Sequence, residues 1–351
     1  MSKLRHLLII GICTLILIVA CDRSPNSPTN NHPTALDSES CRLVEHQMGE
    51  TEVCGQPQQV AALSPHILNI MLSLGVQPVG YAEADNLNIQ TYDNPVEQIP
   101  YLGKWVTTQP MGLGDRNSPS LERLTLLQPD LILGEEWNNK DEYSLLTQIA
   151  PTLLFSDLKN PDEVQSWQQD IDGIAKALGK QDQVEELLAA HAQQIAQARA
   201  ALQPVLQDYP RVFIMASNSE ATELESQPES TVGRLLQEIG FKIIRPPGFT
   251  DSRANISWEI VPQIETDLII VMSWSQYVAL NSEDIMPKDT VRKKWAQNSL
   301  LNSMAVFQQG RVFFVDYYLW SGVTRGPLSD KLILEALPDL LLVSVEEKNS
   351  A

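Results

Sequence analysis

The amino-acid sequence predicts an α/β protein with two lobes, each built around a parallel sheet, and a long helix between them. Three observations lead to this prediction. Short apolar segments alternate with helical segments up to residue 155 and again after residue 210, and this alternation is typical of parallel sheets. Between the two regions, two helical segments follow each other without a strand. A similar phrase also occurs once in each region: SLERLTLLQPDLIL at residues 120–133 and SWEIVPQIETDLII at residues 257–270.

The first region begins with a strand and a helix whose ends are clearly marked. The strand covers residues 59–63. Ser64 caps the helix, Pro65 occupies its first turn and Gly75 ends it, because each of these residue types suits that position. The other elements predicted here are a strand at residues 76–82, a loop at residues 86–119, a helix and strand at residues 121–133, and a helix and strand at residues 141–155.

The middle of the chain is predicted to be helical, and strands then return. The helices cover residues 161–180 and 181–202, and Pro204 ends the second one. A helix of that length spans roughly 30 Å, the width of a small lobe. The elements predicted after it are a strand at residues 211–217, a helix at residues 230–240, a helix at residues 258–265, strands at residues 268–272 and 311–320, and a closing helix at residues 327–344.

The N-terminus has the pattern of an export signal. A positively charged start is followed by the apolar segment LLIIGICTLILIVA, which is too short for a typical membrane span. The segment ends in LIVAC, which resembles a bacterial lipobox, the cleavage site before a cysteine that then carries lipid. We therefore expect a lipoprotein signal peptide at residues 1–20 and lipidation of Cys21. A plain secretory signal is the alternative.

Cys41 and Cys54 flank the segment RLVEHQMGETEV, in which two short strands meet at residues 48–49. An exported chain enters an oxidising compartment, so a hairpin closed by a Cys41–Cys54 disulfide is predicted. Two free thiols are the alternative. This region offers too few ligands for a metal ion, and the five histidines are scattered along the chain, so no metal site is predicted.

Composition and charge exclude some functions. The chain of 351 residues is long enough for two lobes with sizeable cores. After the first 20 residues, the chain carries 23 bases and 44 acids, a net charge of −21. No basic stripe is present that could neutralise phosphates, so nucleic acid is not an expected partner. Because the sequence has no G-x-S-x-G elbow, H-E-x-x-H helix or P-loop, an enzyme is not predicted.

Six segments between about residues 58 and 342 carry a resemblance through their order and spacing. They are VAALSPHILNIMLSLGVQPVGYAE, LGDRNSPSLERLTLLQPDLILG, LTQIAPTLLF, IAKALGK, ISWEIVPQIETDLIIV and QGRVFFVDYYLW. Together they resemble the periplasmic substrate-binding proteins of ABC importers for ferric siderophores and vitamin B12, in particular the iron-siderophore branch. The resemblance implies two Rossmann-like lobes with parallel sheets, joined by one long rigid helix. The ligand would lie in the cleft between the lobes.

The resemblance also implies a function and partners. A lipid-anchored monomer would capture a ferric siderophore and deliver it to an ABC importer with a homo- or heterodimeric permease. It would act at the periplasmic side of a bacterial inner membrane or the outer face of the cell membrane. No cofactor is expected, and iron would enter only as part of the bound siderophore. The open alternatives are a haem- or cobalamin-binding protein of the same family and a sensor lipoprotein without a transport role.

The repeated phrase supplies two candidate residues for docking. In each copy, a serine is expected to cap a helix, and Glu122 or Glu259 follows in the first turn. The resemblance implies that these two glutamates meet arginine pockets on the two permease subunits. The alternative is that each glutamate only complements the helix dipole, which contributes less than about 1 kcal/mol.

Ligand contacts are expected in loops at the carboxyl ends of parallel strands, where such sheets bind ligands. A ferric siderophore has flat apolar parts and anionic oxygens, so aromatic and basic side chains are the candidates. The resemblance places an arginine at Arg116 and an aromatic residue at Trp137. The ligand-binding residues predicted from both arguments are Arg116, Trp137, Arg253, Trp274, Tyr277 and Trp320. Tyr101 and Trp105 are weaker candidates, and His66 is expected to be structural.

The predicted organisation of the chain follows from these observations. It comprises a signal peptide at residues 1–20, a tether rich in Ser, Pro, Asn and Thr at residues 21–40, an N-terminal lobe with its leading hairpin at residues 41–178, a connecting helix at residues 179–205, and a C-terminal lobe with a closing helix at residues 206–351.

Overall fold

The computed structural model of the chain describes residues 40–84, 88–156, 166–218, 223–273 and 288–350. All of them belong to one compact unit, Ser40–Ala351. The predicted signal peptide and Cys21 lie outside the described residues. Among the described residues, no helix combines the length and the apolar character that crossing a membrane requires.

The strands alternate with helices along most of the chain. In chain order the strands are β1 (Cys41–His46), β2 (Gly49–Cys54), β3 (Val60–Ala62), β4 (Gly80–Glu83), β5 (Met111–Asp115), β6 (Ser118–Pro119), β7 (Leu131–Glu135), β8 (Thr152–Phe155), β9 (Arg211–Ser217), β10 (Leu224–Ser226), β11 (Lys242–Ile244), β12 (Ala254–Ile256), β13 (Leu268–Ser273) and β14 (Val312–Asp316).

The helices flank the strands and connect the two halves. In chain order they are α1 (Pro65–Ser73), α2 (Pro95–Gln98), α3 (Leu121–Leu127), α4 (Glu136–Asn139), α5 (Tyr143–Leu146), α6 (Trp167–Leu178), α7 (Val184–Ala201), α8 (Gln203–Asp208), α9 (Thr231–Ile239), α10 (Lys288–Ala296), α11 (Ser299–Asn302), α12 (Ala305–Gln308), α13 (Tyr317–Trp320) and α14 (Pro327–Ser350). Short 3-10 helices cover Gly103–Trp105, Gln181–Gln183 and Val261–Gln263.

Each half of the chain forms one mainly parallel sheet, as predicted. The first sheet has the order β6-β5-β4-β3-β7-β8, and only the edge strand β6 is antiparallel to its neighbour. The second sheet has the order β12-β10-β9-β13-β14, and β11 also pairs with β9. In this sheet β10 runs antiparallel to both of its neighbours. The sequence pattern did not indicate β5 and β6, which lie in the predicted loop, or β10 to β12.

The connection between the sheets is helical, as predicted. The helix α7 has 18 residues and lies between the last strand of the first sheet and the first strand of the second. The closing helix α14 contacts α7, α8 and α9, and it also reaches α1 of the first lobe. At that crossing, a Cβ atom on Gly326 would lie only 2.4 Å from Cγ of Asn69, so the close approach requires glycine.

The N-terminal hairpin packs on the first lobe. The sulfur atoms of Cys41 and Cys54 lie 1.97 Å apart in a disulfide bond, the pairing that the sequence predicts. Val44 and Val53 are buried in the core of the lobe. The guanidinium of Arg42 donates hydrogen bonds to backbone carbonyls in the last turn of α6, where carbonyl groups otherwise lack partners. The hairpin therefore also caps a helix.

Two predicted elements differ from the structure. The helix predicted at residues 258–265 is a turn followed by the 3-10 helix Val261–Gln263. Pro262 has no N–H to donate to the carbonyl of Trp258, so an α-helix through this position would lose a bond. The strand predicted at residues 311–320 ends at Asp316, whose carboxylate accepts a hydrogen bond from the N–H of Leu319 (3.3 Å) and thereby begins α13.

The aspartate of the repeated phrase makes the same contact in both lobes. Asp130 accepts hydrogen bonds from the N–H groups of Gln58 (2.7 Å) and Gln59 (3.0 Å), just before β3. Asp267 accepts one from the N–H of Arg211 (2.9 Å), at the start of β9. The strands that follow the two aspartates, β7 and β13, pair in parallel with β3 and β9. The aspartate and the strand of the phrase therefore play the same structural part in both lobes, while its helical part differs.

Candidate functional site

The carboxyl ends of the parallel strands in the two lobes meet. Glu83 is the last residue of β4, and its carboxylate accepts a hydrogen bond from the hydroxyl of Tyr318, which follows β14. Glu135 is the last residue of β7 and pairs with the guanidinium of Arg325, which precedes α14. Strand ends of this kind are where α/β sheets bind ligands. The residues gathered here, the strand-end cluster, are Glu83, Arg116, Glu135, Trp137, Tyr318 and Arg325.

Arg116 and Trp137, both predicted as ligand contacts, lie together in this cluster. The Cζ atom of Arg116 is 5.0 Å from the ring centroid of Trp137, within the range of a cation–π interaction. Trp137 donates its Nε1–H to the Oε1 atom of Glu135 (3.2 Å). The side-chain amide of Asn139 donates to the carbonyl of Arg116 (2.7 Å) and thereby fixes its backbone. Both side chains are half-buried, so each keeps some surface open to solvent.

Glu135 is buried yet ionised. Burial by itself would raise the pKa of its carboxyl group. The positive charges of Arg325, His66 and Arg116 and a hydrogen bond from Ser64 outweigh burial and lower the pKa to about 2. Because the carboxylate is charged, it holds the N–H of the Trp137 indole and the guanidinium of Arg325 in place.

Glu83 connects two tyrosines from different lobes. Its carboxylate accepts hydrogen bonds from the hydroxyl of Tyr81 (2.9 Å) and from that of Tyr318. Burial, followed by the negative charge of Glu83, raises the pKa of both tyrosines well above the ordinary value. Both hydroxyls therefore stay protonated and donate. The ring of Tyr101 stacks on that of Tyr318 with a centroid distance of 6.3 Å, so this weaker candidate also lies at the cluster.

The two arginines keep hydrogen-bonding capacity. Among the described residues, the Nε atoms of Arg116 and Arg325 are buried and have no hydrogen-bond partner. A guanidinium has five N–H donors in a planar arrangement that suits carboxylate and other anionic oxygens. Together with the face of Trp137, the cluster therefore offers donors for anionic oxygens beside a flat apolar surface.

His66 supports Arg325 from below the cluster. Its Nδ1 atom lies 2.8 Å from the carbonyl oxygen of Arg325, and its Nε2 atom lies 2.9 Å from the Oδ2 atom of Asp170. Burial would raise the pKa of Asp170, but hydrogen bonds from His66 and Ser156 help to lower it below its ordinary value. His66 therefore links α1 to α6 and to the segment that precedes α14. This agrees with the expected structural role of His66.

A second buried polar cluster joins the lobes away from the strand ends. Asp330 of α14 is fully buried and accepts hydrogen bonds from Trp167 Nε1 of α6 (2.8 Å), His191 Nε2 of α7 (3.0 Å) and the guanidinium of Arg234 of α9 (3.2 Å). We call these four residues the Asp330 cluster. Burial would raise the pKa of Asp330, but its partners, His191 foremost, lower it. The cluster connects helices of both lobes to the connecting helix.

Of the other four predicted ligand contacts, the two that the structure describes, Trp320 and Arg253, do not join the strand-end cluster. Trp320 is only 6% exposed and packs in the core of the second lobe. Arg253 is exposed and directly precedes β12. The first residue of β12 pairs with Ser226 of β10, which in turn pairs with Met215 of β9, two residues before that strand ends. The position of Arg253 therefore does not meet the strand-end criterion. Trp274 and Tyr277 lie outside the described residues. The role of all four residues as ligand contacts stays a prediction.

Trp105, the other weaker candidate, is not part of the strand-end cluster. It lies in the 3-10 helix Gly103–Trp105, and the ammonium group of Lys104 lies 4.2 Å from its ring centroid. Its ring also packs against the core of the first lobe.

The two candidate docking glutamates are both exposed but differ in local structure. Glu122 lies in the first turn of α3, and Ser120 caps this helix by accepting a hydrogen bond from the N–H of Arg123 (3.3 Å). Glu259 lies in a turn, and the hydroxyl of Ser257 donates to its carboxylate and lowers its pKa. The expectation that both serines cap α-helices is therefore correct for the first lobe and wrong for the second.

Four residues of the strand-end cluster were not predicted from the sequence: Glu83, Glu135, Tyr318 and Arg325. One signal could have indicated the first two: a glutamate ends each of the apolar strands β4 and β7. The partners could not be found in the same way. Tyr318 is 235 residues from Glu83, and Arg325 is 190 residues from Glu135.

Comparison with known sequences identifies related proteins. The pattern of the family described as periplasmic binding protein matches residues 60–319. The putative ABC transporter substrate-binding lipoprotein YhfQ of Bacillus subtilis is 27% identical over 333 residues, which cover 90% of this chain and 92% of the relative. The Fe(3+)-citrate-binding protein YfmC of the same organism is 25% identical over 341 residues, which cover 95% of this chain and 97% of the relative.

Comparison with solved structures confirms the fold. The structure of Staphylococcus aureus SirA complexed with staphyloferrin B gives a TM-score of 0.66 at 22% identity and covers 87% of this chain and 98% of that chain. BauB, bound to a complex between two molecules of acinetobactin and ferric iron, gives a TM-score of 0.65 at 23% identity and covers 85% of this chain and 98% of that chain.

Proposed function

The chain belongs to the periplasmic binding protein family, and from that membership we propose that it captures a ferric siderophore between its lobes and delivers it to an ABC importer. Proteins of this family bind substrates and are not enzymes. The names of several relatives, including the Fe(3+)-citrate-binding protein, support iron complexes as the ligand class. We therefore propose a role in transport and no catalytic role.

The observation that carries the proposal is the pairing of Arg116 with Trp137 at the carboxyl ends of the first sheet. The guanidinium lies over the indole ring, and its Nε atom has no partner among the described residues. Siderophores surround ferric iron with anionic oxygens held on apolar or aromatic groups. A charge-assisted hydrogen bond from Arg116 would hold such an oxygen, while the ring of Trp137 packs on the apolar part. Arg325 offers a second donor at the same strand ends.

The ligand is tested by tryptophan fluorescence. The purified protein is titrated with ferric hydroxamate, ferric citrate-type, ferric catecholate, haem and cobalamin ligands. We expect a ferric siderophore to quench the emission with a Kd between about micromolar and nanomolar. A Trp137→Phe variant, which loses the indole nearest Arg116, should show a smaller change in emission. Preferential binding of haem or cobalamin would move the chain to that branch, and binding of none of the ligands would contradict transport.

We further propose that Glu122 and Glu259 dock the two lobes on the permease. Both carboxylates are exposed and lie outside the strand-end cluster. Glu259 stays ionised because Ser257 donates to it and lowers its pKa. Two similar charges on the two lobes suit a partner with approximate twofold symmetry, which presents the same arginine pocket twice.

We also propose that Cys21 carries the lipid that holds the protein at the membrane. The support is the LIVAC pattern at the end of the apolar N-terminal segment. Cells grown with labelled palmitate should label the wild-type chain but not Cys21→Ala. A labelled Cys21→Ala chain would exclude this cysteine as the lipid site.

A further inference from the structure

The second lobe carries a basic helix on an otherwise acidic chain. The helix α10 has the sequence KDTVRKKWA, with four bases and one acid in nine residues. The chain after residue 20 has a net charge of −21. The side chains of Arg292 and Lys293 are exposed. Because the chain as a whole is acidic, this local group of positive side chains calls for an explanation.

Packing fixes the orientation of this helix. Trp295 has no exposed surface and makes edge contacts with the rings of Trp258 (5.0 Å between centroids) and Phe314 (5.5 Å). Lys293 precedes Trp295 by two positions, so it lies on nearly the opposite side of the helix. The buried tryptophan therefore holds Lys293 toward the solvent.

The basic helix adjoins the turn of Glu259. Trp258, which contacts Trp295, is the neighbour of Glu259 in the chain. The helix α11 contacts both α10 and the 3-10 helix Val261–Gln263, and its Leu300 is 44% exposed. We call four of the exposed residues on these adjoining elements, Glu259, Arg292, Lys293 and Leu300, the α10 surface.

We propose that the α10 surface rests on anionic lipid headgroups of the membrane that holds the permease. Lysine and arginine beside an exposed apolar side chain match the border between headgroups and acyl chains. The orientation of α10 relative to the membrane follows from Glu259, and this step rests on the proposed function. If Glu259 faces the permease, the neighbouring helix α10 faces the bilayer around the permease. The permease itself is a poorer match, because groups that attract Glu259 would repel Arg292 and Lys293.

The first lobe uses its corresponding positive charge differently. Arg123 follows Glu122, but its guanidinium donates to the backbone carbonyls of Ile89 (2.9 Å) and Gly112 (2.7 Å) within the lobe. It therefore supports local structure. The two lobes are alike in their docking glutamates and unlike in the charge beside them, so the proposed lipid contact belongs to the second lobe.

The test measures binding of the compact unit, residues 40–351, to vesicles in a sedimentation assay. This form has no signal segment and no lipid, so any binding comes from the folded surface. Vesicles of phosphatidylcholine are compared with vesicles that also contain phosphatidylglycerol. We expect binding only to the anionic vesicles. The double variant Arg292→Gln/Lys293→Gln should bind roughly tenfold or more weakly, because each base near an anionic surface contributes a factor of about five.

The control is Lys104→Gln/Lys140→Gln, which removes two exposed bases from the first lobe. It should bind like the wild type, which would separate a local contact from an effect of net charge. Equal loss in both double variants, or equal binding to neutral and anionic vesicles, would overturn the proposal. So would weaker binding of Arg292→Gln/Lys293→Gln than of the wild type to detergent-solubilised permease without lipid, since the two bases would then contact protein. The vesicle assay contains neither ligand nor transporter, so a negative result in it leaves the proposed transport function untouched.

Discussion

Two polar clusters connect the lobes, and they differ in what remains unpaired. In the Asp330 cluster, each donor comes from a different helix, and among the described residues no buried polar side-chain atom of its members lacks a partner. In the strand-end cluster, the Nε atoms of Arg116 and Arg325 are buried and unpartnered. Arg116 and Trp137 are also partly exposed.

This difference indicates which cluster serves binding. Buried polar groups in folded proteins are normally hydrogen-bonded, so an unpaired donor calls for an explanation such as a ligand. A fully paired cluster holds its elements together and has nothing left to offer a ligand. We therefore assign the Asp330 cluster to the rigid relation between the lobes and the strand-end cluster to the ligand. Four predictions test this assignment, from the largest expected effect to the smallest.

The largest effect is expected for Asp330→Ala. The variant leaves the guanidinium of Arg234, the ring of His191 and the indole N–H of Trp167 without their acceptor. Removal of one partner from a buried charged network costs about 3–5 kcal/mol in the free energy of unfolding. Urea unfolding measures this loss. The Kd of the folded variant for the ligand should stay close to that of the wild type.

Asp339→Ala is the matched control for this prediction. Asp339 is exposed on the same helix, so its loss should change the free energy of unfolding by no more than about 0.5 kcal/mol. If Asp330→Ala lost little stability but bound the ligand much more weakly, the two clusters would have been assigned the wrong way round.

The next effect is a dependence of stability on pH through Glu135. Its pKa is lowered from 4.5 to about 2 in the folded protein. Between about pH 2 and pH 4.5 the unfolded chain therefore binds more protons than the folded protein does. The stabilisation is therefore fully present above about pH 4.5 and is lost as the pH falls toward 2, by about 3 kcal/mol in total. Glu135→Gln should lack this component. Urea unfolding of both proteins at several pH values measures the difference.

The wild type and Glu135→Gln should differ most near neutral pH and converge at low pH. Asp170 and Asp330 also have lowered pKa values, but they contribute equally to both proteins and cancel in the difference. A constant difference at all pH values would show that the carboxylate of Glu135 does not carry the predicted charge.

A smaller effect, on affinity alone, is expected for Arg116→Ala. Loss of a charge-assisted hydrogen bond to the ligand should weaken binding by about 1.5–3 kcal/mol, while the free energy of unfolding changes little. Fluorescence titration measures the Kd. Lys140→Ala removes an exposed base of the same charge directly after α4, near Trp137 in the chain, and should leave the Kd unchanged. An unaltered Kd in Arg116→Ala would remove this residue from the site.

The smallest effect on both stability and affinity is expected for Glu122→Ala and Glu259→Ala, because neither residue belongs to a cluster. Their loss should appear in uptake, since an unpaired arginine at an interface costs about 2–5 kcal/mol. Each single variant should reduce uptake, the double should nearly abolish it, and reversal to arginine should be worse than alanine. Transport of the labelled ligand into cells measures this.

Normal uptake by the double variant would leave the repeated glutamates without a docking role. Weaker ligand binding in either single variant would instead place that glutamate near the cleft.

Features that depend on neighbours in the chain were predictable from the amino-acid sequence. Ser64 caps α1 by accepting the N–H of Ile67 (3.2 Å), and the pattern of apolar residues identified β9 and β13 closely. These features were predictable because caps and periodicity act over a few residues. The same reasoning failed at Pro262, where an apolar pattern typical of a helix met a residue that cannot donate a backbone hydrogen bond.

The contacts at the strand ends depend on the folded arrangement of the two lobes. Arg116 and Trp137 were predicted separately, but their contact depends on the order of β5, β4, β3 and β7 in the sheet. Glu83 and Tyr318 are brought together across 235 residues by the relation between the lobes. No short segment encodes such a pairing, because it results from how α7 and α14 hold the two lobes together. The residue types of the candidate site were therefore predictable from the sequence, but the particular residues that come together there were not.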